Sequence, residues 1–298
     1  MGFNDSRGRK LFLAANNIFL IGLAIVCLLP LVNILAISFS SSAAASAGAV
    51  KLWPVEFTLS SYKYALAKPE FLTSLFVSIE RVVLGTVISL AIVVMSAYPL
   101  SKERSEFPLR TIYVWFFFVT ILFSGGLIPT YMVIRNYHLL DTVWALVLPG
   151  AVAVFNIVLL LNFFRGTPKE IQEAAFVDGC THWQVLWKIM VPVSMPALAT
   201  ILLFTCVGQW NSWFDGLIYM NSPSNYPLQT YLQTLVVSTE MFTEAGNLTA
   251  EDMKALAEIS DRTTKASQIF LAALPVLALY PFLQKYFMKG IVLGSVKG

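Results

Sequence analysis

Charge is scarce in this chain. Only 12% of its 298 residues are Asp, Glu, Lys or Arg, against 57% hydrophobic, whereas a soluble domain carries about 25% charged residues. An ordinary soluble domain is therefore excluded, and an integral membrane protein is expected. Cysteine and histidine are nearly lacking as well. Cys27 and Cys206 lie in apolar runs, Cys180 lies in a polar segment, and their spacing fits no metal site, so neither a disulfide nor a metal is expected. His138 and His182 are far apart and have no partners for metal binding or catalysis. No stretch fits G-x-x-x-x-G-K-[ST], the loop that cradles nucleotide phosphates, and no pair of carboxylates stands out as catalytic. The chain is not expected to be an enzyme or to bind ATP or Mg itself. Its net charge of +3 follows from the placement of basic residues beside apolar runs and gives no reason to expect nucleic acid.

What the chain does have is long apolar stretches. About 20 such residues cross a bilayer, and six windows reach that length: Leu13–Ile37, Phe71–Leu100, Thr111–Ile134, Thr142–Phe164, Val191–Met220 and Ala266–Phe287. The first follows Arg7, Arg9 and Lys10 but is too long for the apolar part of a signal peptide, so it is read as an uncleaved span. The fold class expected is all-α, a single membrane domain of six transmembrane helices. With the N-terminus in the cytoplasm, twelve Lys and Arg fall in inner segments and seven in outer ones, which the positive-inside rule favours. Both termini are then cytoplasmic, in a multi-pass protein of the inner (cytoplasmic) membrane.

Between the fourth and fifth windows lies the polar segment 167–192. Thr167-Pro168-Lys169-Glu170 reads as a helix start, with Thr167 at the N-cap and Glu170 closing a capping box. Gly179 supplies the permissive backbone that ends this helix. Thr181 and Gln184 form a second capping box, whose helix runs toward Pro192. Ile171, Ala174, Ala175 and Asp178 share one helical face, where small side chains permit close approach and Glu173 offers a carboxylate. Two readings follow from periodicity: a loop helix packed on its own bundle, or a docking piece for another protein.

Glu173-Ala174-Ala175, then Asp178-Gly179, then Ile189, Val191 and Pro192 resembles the signature of membrane subunits from binding-protein-dependent ABC importers. Cys180 and Val191 depart from the commonest residues. The resemblance extends from about Phe12 to Gly298, including Gly125-Gly126-Leu127-Ile128-Pro129-Thr130-Tyr131 and Trp210-Asn211-Ser212-Trp213-Phe214. It is similar to the carbohydrate-uptake branch of the maltose-permease style, in an oligosaccharide subgroup that includes alginate-type importers. The resemblance implies a coupling helix at 167–192 seated in a cleft of an ABC ATPase dimer that binds ATP and Mg. It also implies a second permease subunit, an extracytoplasmic solute-binding protein and an oligosaccharide as solute. The tail from Gln284 to Gly298 is implied to lie against the ATPase pair, and Gly290 and Gly294 favour an irregular strand there.

Polar residues inside a membrane are expensive and tend to face a cavity or another helix. Trp210, Asn211, Trp213, Asp215 and Tyr219 are the candidates for the solute path, since aromatic faces stack on sugar rings and Asn and Asp satisfy hydroxyls. An aromatic belt with helix-to-helix hydrogen bonds remains the alternative. Glu80 and Arg81 point apart on a helix and reach the outer interface or pair across helices. Asn156 and Asn162 read as helix-packing residues. Ser40–Ala49 reads as a flexible outer loop, Ser60–Leu66 as a short interfacial helix, and the acidic stretch Asn221–Lys265, with Thr249 capping a helix, as an ordered cover or a docking surface. A self-sufficient secondary transporter or channel is the competing class. It would show inverted repeats and coupling carboxylates at mid-membrane, and neither is seen. A scaffold without transport would leave the polar face of the fifth window unexplained.

Overall fold

The computed structural model describes residues 7–235 and 262–294, which are helical with connecting turns. The helix expected at Thr249 and the final residues 295–298 lie outside the described residues. Two compact units emerge, one from Met1–Pro69 with Thr234–Ala273, the other from Glu70–Gln233 with Leu274–Gly298.

In the first unit, α1 (Arg7–Ser38) is apolar over its length and exposed along most of it, as expected of a helix solvated by lipid. Its last turn is buried: Ala36 and Ile37 form a small core with Ala45, Val50 and Ala266. The stretch expected to be a flexible loop is instead ordered. Ser41 accepts a hydrogen bond from the Ala44 N–H at 3.2 Å and starts α2 (Ser42–Ser46), and the alanines after it are the strongest helix formers. The short helix expected at Ser60–Leu66 is present as α3 (Ser60–Ala67). Phe39 packs against the rings of Phe57 and Tyr62 at 5.3 and 5.0 Å, and Tyr62 shares a 2.7 Å hydrogen bond with Ser38.

The second unit is built on α4 (Pro69–Ser101), whose inner face carries Val93, Val94, Ala97, Tyr98 and Leu100 in the main core. α1 and α4 are long and apolar enough to cross a membrane in one piece. The third window is not one straight helix: α5 (Arg110–Leu122) and α6 (Leu127–Asn136) meet at 114°. Gly126 lies between them at φ +84°, a left-handed backbone that a side chain would strain. The fourth window divides at Pro149-Gly150 into α7 (Val143–Val147) and α8 (Val154–Gly166). The fifth divides twice, as set out below. α14 (Arg262–Gly294) runs helical through Gly290 to Gly294, so over 284–294 the irregular strand expected of the tail is corrected to helix. A single glycine costs a helix only about 1 kcal/mol, less than the hydrogen bonds of a long apolar helix recover.

A tight joint closes the turn after α6. His138 and Asp141 both adopt positive φ, a conformation that His and Asp tolerate better than most residues. Asp141 then accepts the backbone N–H groups of Asn221 and Ser222 at 3.0 and 3.1 Å and the Ser222 hydroxyl at 2.7 Å. The Ser222 hydroxyl, with help from the two backbone donors, holds the Asp141 carboxyl below its ordinary value of 3.8. A depressed carboxyl stabilises the fold above the ordinary carboxylate range and loses that contribution as pH falls through the folded value. Asp141→Asn should therefore lower the thermal midpoint by about 2–4 °C at pH 7, and the gap to wild type should narrow below about pH 4. A constant gap across that range would show that the carboxylate charge contributes nothing.

Candidate functional site

Two polar places stand out in the second unit. The first is the segment between the fourth and fifth windows. α8 ends at Gly166 and α9 (Lys169–Val177) begins after Pro168, which occupies the N-cap without a side-chain bond. Thr167 is not the cap: it is buried, and its hydroxyl reaches back to the Phe163 carbonyl at 3.4 Å. A residue before proline is pushed to extended backbone, so this threonine closes the helix behind it. The other end behaves as the residues dictate. Gly179 sits at φ +81°, its N–H donates to Phe176 at 3.0 Å, and the Cys180 N–H donates to Ala175 at 2.9 Å, the paired bonds of a Schellman motif. Both bonds of the Thr181–Gln184 capping box are present, starting α10 (His182–Val185).

The chain then passes through a π-helical turn (Leu186–Met190) and α11 (Val191–Val193) before bending by 81° into α12 (Met195–Asn211). Wide π turns recur at functional sites. Ile189 and Val191 pack against the main core, Pro192 is exposed, and Ser194 at the bend is fully buried with a hydroxyl that has no partner among the described residues.

α9 is clamped to the end of α4. Lys102 donates to Gln172 at 2.6 Å, lies 4.9 Å over the Tyr98 ring and 5.3 Å over the Phe176 ring, and pairs with Glu106 at 3.4 Å. Tyr98 meets His182 at 3.3 Å. On the surface, Lys169 pairs with Glu103, whose carboxyl that hydrogen bond pulls below the usual range while the lysine is raised. Ala175 alone of the signature residues on this helix points into the core. Glu173, Ala174 and Asp178 face outward with Ile171 and with Val177, which is 87% exposed, and Trp183 and Trp187 are exposed nearby. The four-residue face expected from periodicity is therefore split: Ala175 packs inward and the rest is free. An apolar group so exposed beside a carboxylate has the composition of a contact surface.

The second place is inside the apolar part. Arg81 is 3% exposed, on α4. Its Nε donates to Gln209 at 2.9 Å, Nη1 to the Ser212 carbonyl and to Asp215, both at 3.1 Å, and Nη2 to Asp215. Asp215 also accepts from the Ser212 hydroxyl and the Gly216 N–H, each at 2.9 Å. This network occupies the break between α12 and α13 (Phe214–Tyr219). Arg81 thus donates to the Ser212 carbonyl at the end of α12, while Asp215 is the acid in the first turn of α13, where the helix dipole favours it. Gly85 makes the approach possible, since a Cβ there would stand 2.9 Å from Gln209.

Beside the network is a cavity of about 650 Å³, whose lining includes Arg81, Ser89, Asn156, Thr205, Gln209 and Asp215. Of the path candidates, Asp215 and Tyr219 line it. Trp210 is buried, and Asn211 and Trp213 are exposed. Asn156 donates to Thr205 at 3.3 Å, a helix-packing bond as expected, while Asn162 is exposed. Arg81 and Gln209 were not singled out for the path. A lone cation in an apolar run was the available signal for Arg81, but its partners lie 128–134 residues away.

Residues 113–293 match the family of binding-protein-dependent transport system inner membrane components, and the chain belongs to that family of membrane permeases. It is 39% identical to protein LplC of Bacillus subtilis, over 99% of this chain and 98% of that one. It is 38% identical to the polygalacturonan/rhamnogalacturonan transport system permease protein YtcP of the same organism, over 94% and 96%. A chain of a bacterial ABC transporter involved in the import of the acidic polysaccharide alginate superposes with a TM-score of 0.84 at 34% identity, covering 96% of this chain and 100% of that chain. A chain from a bacterial alginate ABC transporter in complex with a pentasaccharide-bound periplasmic protein shares the fold, with a TM-score of 0.58 at 14% identity, covering 94% of each chain.

Removing one member of a buried ion pair costs about 3–5 kcal/mol, whereas replacing both with apolar groups can be nearly neutral. Arg81→Met should therefore sharply reduce the yield and thermal midpoint of the purified protein, and Arg81→Met with Asp215→Leu should recover most of the loss. A double variant as unstable as the single one would show that the guanidinium's bonds to Gln209 and Ser212 matter more than the charge pair.

Proposed function

We propose that this chain is one of two membrane subunits of an ATP-driven importer that takes up an oligosaccharide delivered by an extracytoplasmic solute-binding protein. The observation that carries the reading is the segment 167–192. A short helix is fixed at its base by Lys102 and stopped by Gly179 at positive φ, with Glu173, Ala174 and Asp178 turned outward beside exposed apolar side chains. In this reading the outward face seats in an ABC ATPase dimer, which binds ATP and Mg. Closure of that dimer pushes on α9, and α10, the π turn and the 81° bend carry the push to α12. Glu173, Ala174, Ala175, Asp178, Gly179, Ile189 and Pro192 form the coupling set. Asn211, Asp215, Trp210, Trp213 and Tyr219 belong to the solute path or its outer rim.

α1, α4, α5 with α6, α7 with α8, α12 with α13, and α14 supply six crossings in this reading, with both termini and the segment 167–192 on the cytoplasmic side. The solute is assigned to oligosaccharides because relatives are named for polygalacturonan and rhamnogalacturonan transport and for import of the acidic polysaccharide alginate.

The test is ATP hydrolysis by the reconstituted complex with loaded binding protein. Glu173→Lys and Gly179→Pro should abolish stimulation by solute while leaving membrane insertion intact. Proline cannot adopt the φ of +81° found at this turn, and the lysine introduced by Glu173→Lys would meet a basic cleft with like charge. Full stimulation in Glu173→Lys would remove the carboxylate from the coupling role.

A further inference from the structure

The cavity beside Arg81 holds polar groups that the protein alone leaves unused. Ser89 lines it and is 1% exposed, yet its hydroxyl has no hydrogen-bond partner among the described residues. Ser101 and Thr200 bond back to their own backbone, to Tyr98 at 2.7 Å and Pro196 at 3.0 Å. Ser74 and Ser194 share with Ser89 a buried hydroxyl without a partner among the described residues, and of these three only Ser89 lines this cavity. A buried hydroxyl without a partner is costly, and one on a residue at the wall of a roomy cavity is suited to something that arrives there. Gln209 is similar: its carbonyl oxygen accepts from Arg81, and its amide N–H groups have no partner among the described residues. Arg81 keeps one Nη2 hydrogen beyond the four that its bonds use.

Much of the remaining wall is apolar or aromatic, with Phe155, Phe204 and Tyr219, beside the polar Asn156 and Thr205. Aromatic faces with a few spare donors and acceptors are what a sugar ring needs, and about 650 Å³ falls within the range of small-molecule sites. Charge decides what kind of ring. Among the described residues, Arg81 and Asp215 are the only charged ones lining the cavity, and they pair with each other. A guanidinium already neutralised at bonding distance offers little to a second carboxylate, which would also meet Asp215.

We propose that this cavity is a solute subsite supplied by this chain, which takes a sugar ring through its hydroxyls and, because Asp215 cancels Arg81, sets no preference for a carboxylated ring over a neutral one. The proposal rests on the oligosaccharide reading above. Selection for acidic sugar, where it occurs, belongs to another component.

The test uses the complete importer in nanodiscs with its binding protein, and two probes: a uronate trisaccharide and its uncharged methyl ester. The concentration of each that gives half-maximal stimulation of ATP hydrolysis is measured. Ser89→Ala removes a group that bonds nothing among the described residues, so the thermal midpoint should stay at the wild-type value while both concentrations rise about three- to tenfold. Asp215→Asn leaves Arg81 uncompensated and should shift the ratio of the two concentrations about tenfold toward the acid. The binding protein is the same throughout, so a change in ratio belongs to this chain. Equal losses for both probes in Asp215→Asn would mark the pair as a structural pin and overturn the charge assignment. Ser89→Ala indistinguishable from wild type would overturn the subsite, and this variant decides alone if Asp215→Asn fails to assemble. No stimulation of the wild type by either probe would overturn the oligosaccharide reading and the subsite with it.

Discussion

A guanidinium held away from water must be satisfied by what surrounds it, and much of the second unit is arranged to do that for Arg81. Its donors reach across from α4 to the place where α12 stops, and the stop itself supplies two of the acceptors: the Ser212 carbonyl and the Asp215 carboxylate. The helix break is therefore a consequence of the charge as much as a defect in the helix. An unbroken α12 would have kept the Ser212 carbonyl for its own ladder and left Arg81 with less to bond. Gly85 and Gly216 mark the two close approaches that this arrangement requires, one beside Gln209 and one beside Thr230. The cavity lies beside the polar groups gathered for the arginine.

The coupling segment solves a different problem with local means. A short helix has little intrinsic stability, yet α9 must hold a fixed attitude in the coupling role proposed for it. Ala175 packs in the main core, Lys102 bonds and covers it from the end of α4, and the Schellman turn at Gly179 fixes the exit. With the inner face secured, the outer face is left to Glu173, Ala174, Asp178 and Val177. The wide π turn and the bend at Ser194 follow at once, so in the proposed coupling role a push on α9 would meet a bent connection before the straight part of α12.

Where a structural choice depends on neighbours in sequence, residues alone foretold it. The Thr181–Gln184 box and the Gly179 turn depend on bonds between residues close together in the chain, and both form. Thr167 shows the limit of the same reasoning: the cap pattern was present, but Pro168 dictated the backbone of the residue before it, and the hydroxyl turned to α8. The Ser40–Ala49 stretch looked flexible because its residues are small, yet Ser41 capped the alanines and made a helix. The third and fifth windows were legible as apolar lengths. Their bends were not, because hydropathy does not register a direction.

By itself the sequence determined the membrane as solvent, the apolar lengths and the polar helix–glycine–helix segment, since these follow from composition, apolar length and short-range hydrogen bonding. Tertiary structure alone decided that Arg81 finds Asp215, that Gln209 lies against Gly85, and that only part of the signature face is open to a partner. Each of those depends on residues far apart in the chain, or on which side of a helix a neighbouring element covers. Pairings of that kind are set by packing, where a charge in an apolar surround must take the partner that geometry brings within reach.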